Sequence, residues 1–450
     1  MTKIRSVLAH STLCALAIFG AGCAKNQPEA APASGSVTTP APPEPATPAT
    51  PAASVEPVKP AAPAAPVAPP LAAADAKALA NGTNAFAFDL YAKTRATPGN
   101  SAISPASIVA ALTMTWAGAN GATAAEMQKV LHLDGDPSSA LANWGKLAAN
   151  LQDPSRKLTL RIANRLFGEQ TAKFEPAFLD KTKTAFGAPL EAMDFVNAPD
   201  PARIRINQWV AEQTENRIKD LLPQGSIDSD TRLALVNAIY FLADWQEPFN
   251  KDATADRPFS ITAKATKPVP TMVQRKHFRL VKADGMAMLE LPYQGGDAAM
   301  LIVLPDAVDG LAKIETKLTA AKFAGWRDKL APTMVDVALP KFTIDPPNPM
   351  ALKPQLVALG MKTAFDPKRA DFTGMSKEKP LSISEVFHKA FVKVDEKGTE
   401  AAAATAVVMT RAGAAPSKAE PFKADHPFLY FIVDNTSGLV MFMGRVADPS

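Results

Sequence analysis

The sequence predicts a single α+β domain behind a non-globular N-terminal segment. Three observations carry this. Hydrophobic residues fill 47% and charged residues 20% of the 450 positions, enough for a large core. From about Asp75 onward, segments with helical spacing interleave with apolar or period-two runs. Across residues 28–70, by contrast, 14 of 43 positions are Pro, a composition that builds no core. The net charge of +4 contains no dense basic block, which argues against nucleic acid as a partner. The two cysteines, Cys14 and Cys23, both lie near the N-terminus, so no disulfide framework spans the domain. No internal repeat is visible.

Residues 1–23 read as an export signal. Lys3 and Arg5 precede a mostly apolar stretch, residues 7–19, too short for a typical membrane span. Gly20-Ala21-Gly22-Cys23 resembles a bacterial lipoprotein processing site, with Gly20 where a Leu is usual. Lipid on Cys23 would anchor the chain to a membrane; an ordinary secretory leader is the alternative. Residues 24–75 read as an extended spacer suited to a cell wall or periplasm. At about 3.1 Å per residue in polyproline II, it reaches on the order of 100 Å.

The domain, residues 76–450, opens with a helical pattern at residues 84–91. Ser104-Pro105 reads as a helix start, with Ser at the cap and Pro in the first turn. That helix continues through Met114 and Trp116, and residues 118–123 break it. Residues 159–167 alternate like a strand, and residues 206–218 have helical spacing. Residues 231–245 read as a buried central strand, in which Asn237 needs hydrogen-bond partners. Residues 288–305 form two strands joined at residues 294–297. Residues 335–344 form another strand, and two more, at residues 426–432 and 438–446, close the chain.

Residues 396–417 are the organising stretch. Glu, Lys and four consecutive Ala favour a helix by propensity. A period-two reading puts Thr399, Ala401, Ala403, Thr405, Val407 and Met409 on one uncharged strand face and Glu400 on the other. Residues 401–409 carry no Pro, Gly or charge, so they can enter a sheet interior. Residues 410–417 read as an exposed, protease-accessible loop.

The run Glu396-Lys397-Gly398-Thr399-Glu400 with its small-residue tract resembles the reactive-loop hinge of the serpins. NSAISPASI, INQWV, LVNAIYF, VDVALPKFTI, HPFLYFI and GLVMFMGRV resemble serpin motifs in family order, so the resemblance spans about residues 80–448. It implies the serpin fold: three β-sheets surrounded by about eight or nine helices, with an exposed reactive loop near the C-terminus. It makes Glu396, Gly398, Thr399, Glu400, Ala401 and Ala403 the hinge. Ser104, Asn237 and His388 would lie where the main sheet opens, with Asn237 and His388 hydrogen-bonded between neighbouring strands.

The implied activity is suicide-substrate inhibition of serine, and also cysteine, proteases. The loop is cut, an acyl-enzyme forms, and the loop inserts into the main sheet. The family count from Glu396 puts the scissile bond between Ala412 and Gly413, which suits an elastase-like pocket. Arg411 makes the Arg411–Ala412 bond a competitor that suits a trypsin-like pocket. The implied protein is a monomer without cofactor or metal, partnered by its target protease and, through Cys23, by a membrane. It would be exported and lipid-anchored at the outer membrane or cell surface, or else periplasmic or secreted. It would not be an enzyme: GxSxG, HExxH, GxxxxGK[ST] and CxxC are all absent. A non-inhibitory surface binding protein with the same fold is the alternative.

Overall fold

The structure is a computed structural model that describes residues 71–187, 190–378, 380–400 and 418–450. The first helix, Ala73–Thr94, is longer than the 84–91 pattern and buries Phe86, Leu90 and Tyr91. The helix expected after Ser104 spans Pro105–Trp116. Ser104 caps it, its Oγ accepting from Ser107 N–H at 3.3 Å and donating to Met441 O at 2.7 Å. Nearly every residue of this helix is buried, so it runs through the core rather than over it. Helices follow at Gly121–Leu131, Pro137–Leu151, Pro176–Phe186 and Pro199–Gln213.

That last helix stops short of the expected 206–218 pattern. Glu215 and Asn216 take left-handed φ of 48° and 61°, and Asn216 N–H closes back on Ala211 O at 2.8 Å. Two successive left-handed residues cannot continue a right-handed helix. Arg217 therefore leaves the helix on a turn.

Among the described residues there are nine α-helices and three sheets, as the resemblance implies. The largest sheet has nine strands. Its centre is Ala298–Pro305, Phe428–Asp434 and Val440–Val446, in which every residue is buried. Such continuous apolar runs fit strands covered on both faces. The hairpin expected at residues 288–305 pairs Met286–Pro292 with Ala298–Pro305, and Gly295 and Gly296 turn it at φ of 84° and 77°. The 335–344 run divides at Lys341 into Ala331–Pro340 and Phe342–Ile344, which join different sheets. The long hairpin of Ala255–Thr262 with Ala265–Ala283 has no counterpart in the sequence reading.

The six-stranded sheet runs Phe342–Ile344, Val392–Val394, Gly398–Thr399, Leu233–Asp244, Thr159–Glu169, Leu190–Met193. The third sheet is the pair Met350–Ala351 and Phe387–His388.

The C-terminal strand is bolted to the first helix by ions. Arg445 donates to Glu315 at 3.0 Å, and Tyr91 donates to the same carboxylate at 2.6 Å. Both charged side chains are under 10% exposed. Arg445 also donates to the carbonyls of Arg95, Thr97 and Gly99, closing the chain that leaves the helix. Arg445→Ala strands Glu315 without its counter-charge. It should lower stability by about 3–5 kcal/mol, read as an earlier denaturant midpoint. An unchanged midpoint would remove the clamp from the account.

Candidate functional site

The site is the two-residue strand Gly398–Thr399 and the space beneath it. Gly398 faces Asp244, and Thr399 faces Ala243 on one side and Val394 on the other. A Cβ on Gly398 would lie 2.0 Å from the Ala243 carbonyl oxygen, so only glycine lets the strand come this close. Thr399 is 2% exposed, and its Oγ1 hydrogen-bonds the Tyr293 hydroxyl at 2.5 Å. Tyr293 stacks on Trp245 at 4.6 Å, and burial pushes its phenol well above the ordinary range. Trp245 holds the turn before the hinge: its N–H donates to Lys397 O at 2.6 Å and its indole to Asp395 O at 3.0 Å.

Glu396 anchors the start of this turn. Its carboxylate accepts from Thr254 at 2.9 Å and pairs with Lys341 at 3.0 Å, and its carbonyl accepts from Phe249 N–H at 2.8 Å. Burial raises its pKa, but the hydrogen bonds and Lys341 outweigh this and hold it below the usual value. Glu400 is also buried, with a left-handed φ of 52°. Its N–H donates to Lys393 O at 2.9 Å, and its carboxylate pairs with Arg217. Here burial dominates and pushes the carboxyl up, with Arg217 opposing.

Among the described residues, the sheet is open below Thr399: Leu233–Asp244 pairs with Thr159–Glu169 along ten residues, but on its other edge only Asp244 and Ala243 have strand partners. Among the described residues, no ladder joins it directly to Val392–Val394 or to residues 381–388. A cavity of about 390 Å³ is lined by residues 230–237 and 380–388, with Pro105–Trp116, residues 221–227 and Pro367, Phe372 and Met375 contributing the rest.

Asn237 and His388 both line this cavity, but they do not pair as expected. Phe387–His388 pairs with Met350–Ala351 instead of the Asn237 strand, so the two side chains find other partners. His388 Nε2 accepts from Ser104 N–H at 3.0 Å. Asn237, half-buried, accepts from Ser107 Oγ and donates to Asn164 Oδ1 at 2.5 Å. The Ser104–Ser107 end of the buried helix thus holds both residues separately. Tyr293, Ser107, Asn164 and Arg217 were not singled out from the sequence. Ser107 lies within the NSAISPASI run, but the roles of all four depend on pairings that only the three-dimensional structure makes.

Cys23, Ala401, Ala403, Arg411, Ala412 and Gly413 lie outside the described residues. Among the described residues, no His/Cys/Asp/Glu group could hold a metal ion and no helix is long and apolar enough to cross a membrane.

A model of the family "Serpin (serine protease inhibitor)" matches residues 81–449. The chain belongs to the serpin family. It is 45% identical over 374 residues to the leukocyte elastase inhibitor of Sus scrofa, covering 81% of this chain and 97% of that one. It is 41% identical over 381 residues to the leukocyte elastase inhibitor of Homo sapiens, covering 82% and 99%. Among solved structures it resembles Serpin48 of the insect Tenebrio molitor, with 32% identity, a TM-score of 0.73, and coverage of 83% and 98%.

His388 makes this serpin's stability depend on pH. Burial pulls its pKa from 6.5 down to about 4, and the neutral ring accepts from Ser104 N–H. The unfolded chain binds that proton near pH 6.5 and the folded chain near 4. The stabilisation is therefore full above 6.5 and is lost as pH falls from 6.5 toward 4, by up to about 3 kcal/mol. Denaturant midpoints at pH 7 and pH 5 should separate more for the wild type than for His388→Gln. Equal separation would contradict the role given to this ring.

Proposed function

We propose that this serpin is a suicide-substrate inhibitor of serine proteases, and of cysteine proteases by the same acyl chemistry. The observation that carries the reading is the position of Gly398–Thr399. These two residues already stand between Val392–Val394 and Leu233–Asp244, above strand edges that have no other partner among the described residues.

The chemistry follows in order. A protease nucleophile attacks the carbonyl of Ala412, or of Arg411 if that bond is used, and an acyl-enzyme forms as the loop peptide bond breaks. The loop is then tethered only at its hinge. Ala401 and Ala403 follow Thr399 inward as the segment pairs with the open edges, gaining ladder hydrogen bonds and burying small side chains. The protease, still acylated, is dragged along and distorted before water releases it. Trapping succeeds only when insertion outruns deacylation, which small inward residues favour.

The names of the relatives and a small Ala412 both support an elastase-like target; Arg411 supports a trypsin-like one. The serpin acts as a monomer without cofactor. Residues 1–23 direct export, Cys23 carries the lipid that holds the chain at the outer membrane or cell surface of a bacterium, and residues 24–75 extend the domain away from it. Replacing Cys23 with Ala and measuring the membrane fraction tests that part separately.

The inhibitor reading is tested by mixing the protein with elastase-like and trypsin-like proteases and boiling the mixture in detergent. A covalent complex should survive for one class, and its absence for all serine proteases would overturn the reading. A released C-terminal fragment starting at Gly413 assigns the Ala412–Gly413 bond, and one starting at Ala412 assigns the other. Thr399→Arg places an unpaired charge at a 2%-exposed position beside Tyr293. It should turn the inhibitor into a substrate, so that cleavage continues and the complex fades. An unchanged stoichiometry of inhibition would contradict insertion at this point.

A further inference from the structure

Glu400 is the point at which the hinge stops being a strand. Its φ of 52° lies outside the extended region, so the next residue cannot take the next rung while Glu400 keeps this conformation. A left-handed non-glycine residue is disfavoured, and something must hold it there. The partner is Arg217, which the left-handed pair Glu215–Asn216 throws out from the end of the Pro199–Gln213 helix. The Arg217 guanidinium also lies 5.4 Å from the Phe391 ring centroid. Phe391 precedes Val392–Val394, one flank of the gap, and Tyr240, whose phenol interacts with Glu400, belongs to the other flank.

The Arg217–Glu400 pair therefore sits over the mouth of the gap. It lies between the paired level of Ala243 and Val394 and the open level of Asn237 and His388. Glu396, by contrast, is tied to Thr254 and Lys341, before the hinge strand, where insertion need not move it.

We propose that Arg217 is a positioning residue for loop insertion: it latches Glu400 at the mouth of the gap and so sets how far the hinge enters the sheet before cleavage. This rests on the inhibitor reading above. Arg217 ties the turn after one helix to the moving segment, so further insertion and withdrawal both require the pair to break. Lys393 is a second cation near Glu400, from the flanking strand; Glu215, near Arg217, is engaged by Arg161.

The test is a double-mutant cycle with Arg217→Ala and Glu400→Ala. Its readouts are hydrogen exchange at the Glu400 amide in the intact protein and the rate at which warmed, uncleaved protein becomes resistant to loop cleavage. Each single variant should speed both by about three- to five-fold, the size expected for an ion pair with one exposed partner. The double variant should be no faster than either single one, and Arg217→Lys should recover most of the wild-type rates. Unchanged rates, or effects that multiply in the double variant, would overturn the latch. Should Arg217→Ala fold poorly, Glu400→Gln supplies the same comparison. Hydrogen exchange needs no protease, so it decides the latch even if no covalent complex forms with any protease.

Discussion

A strand buried at the centre of a sheet must satisfy its backbone N–H and C=O groups on both edges. Among the described residues, Leu233–Asp244 meets that demand along one edge only. Ten residues pair with Thr159–Glu169, while the opposite edge holds two rungs and then faces a cavity. The organisation of this half of the molecule follows from that imbalance. The hinge strand occupies the top of the opening, Glu396 and Trp245 fix its starting point, and the buried helix Pro105–Trp116 closes the space from behind. An open edge normally invites pairing with whatever strand is nearest. Here the nearest candidate is the chain's own next segment.

The polar layer at the bottom of the opening has a related logic. Ser104, Ser107, Asn164, Asn237 and His388 could link the two flanks directly, but the hydrogen bonds run through the helix instead. Each flank is thus fastened to a fixed element rather than to the other. Because both ties end on one turn of the same helix, separating the flanks must break one of them or shift the helix, and a buried group left orphaned costs about 1–3 kcal/mol. The ion-paired side chains at the top, Glu396 with Lys341 and Glu400 with Arg217, work differently. They hold the moving segment, and only the second lies beyond the paired residues.

Much of this was legible in the sequence because the informative residues are locally constrained. Ser104-Pro105 announced a helix start, residues 231–245 a buried strand, and Gly295-Gly296 a hairpin turn. Gly398 and Thr399 stood out because small, uncharged residues recur with period two after them. The Asn237–His388 bond failed because the pairing of Phe387–His388 with Met350–Ala351 is a long-range event with no local signature. The helix end at Gln213 was misplaced because Ile218, at helical spacing, is buried by the returning turn rather than by the helix. Arg217 escaped notice for the same reason: in sequence it is one cation among 48 Lys and Arg, and only the fold brings Glu400 to it.

The central claim is that the opening in the six-stranded sheet is the place the cleaved loop fills. Scanning calorimetry on intact protein and on protein nicked within residues 409–415 tests it most directly. A new strand of about ten residues, at about 1 kcal/mol per ladder hydrogen bond, adds on the order of 10 kcal/mol. For a domain of this size, with an unfolding entropy of about 0.8 kcal/mol/K, the account predicts that the nicked form melts higher by roughly 10 °C or more. Equal midpoints before and after nicking would contradict it.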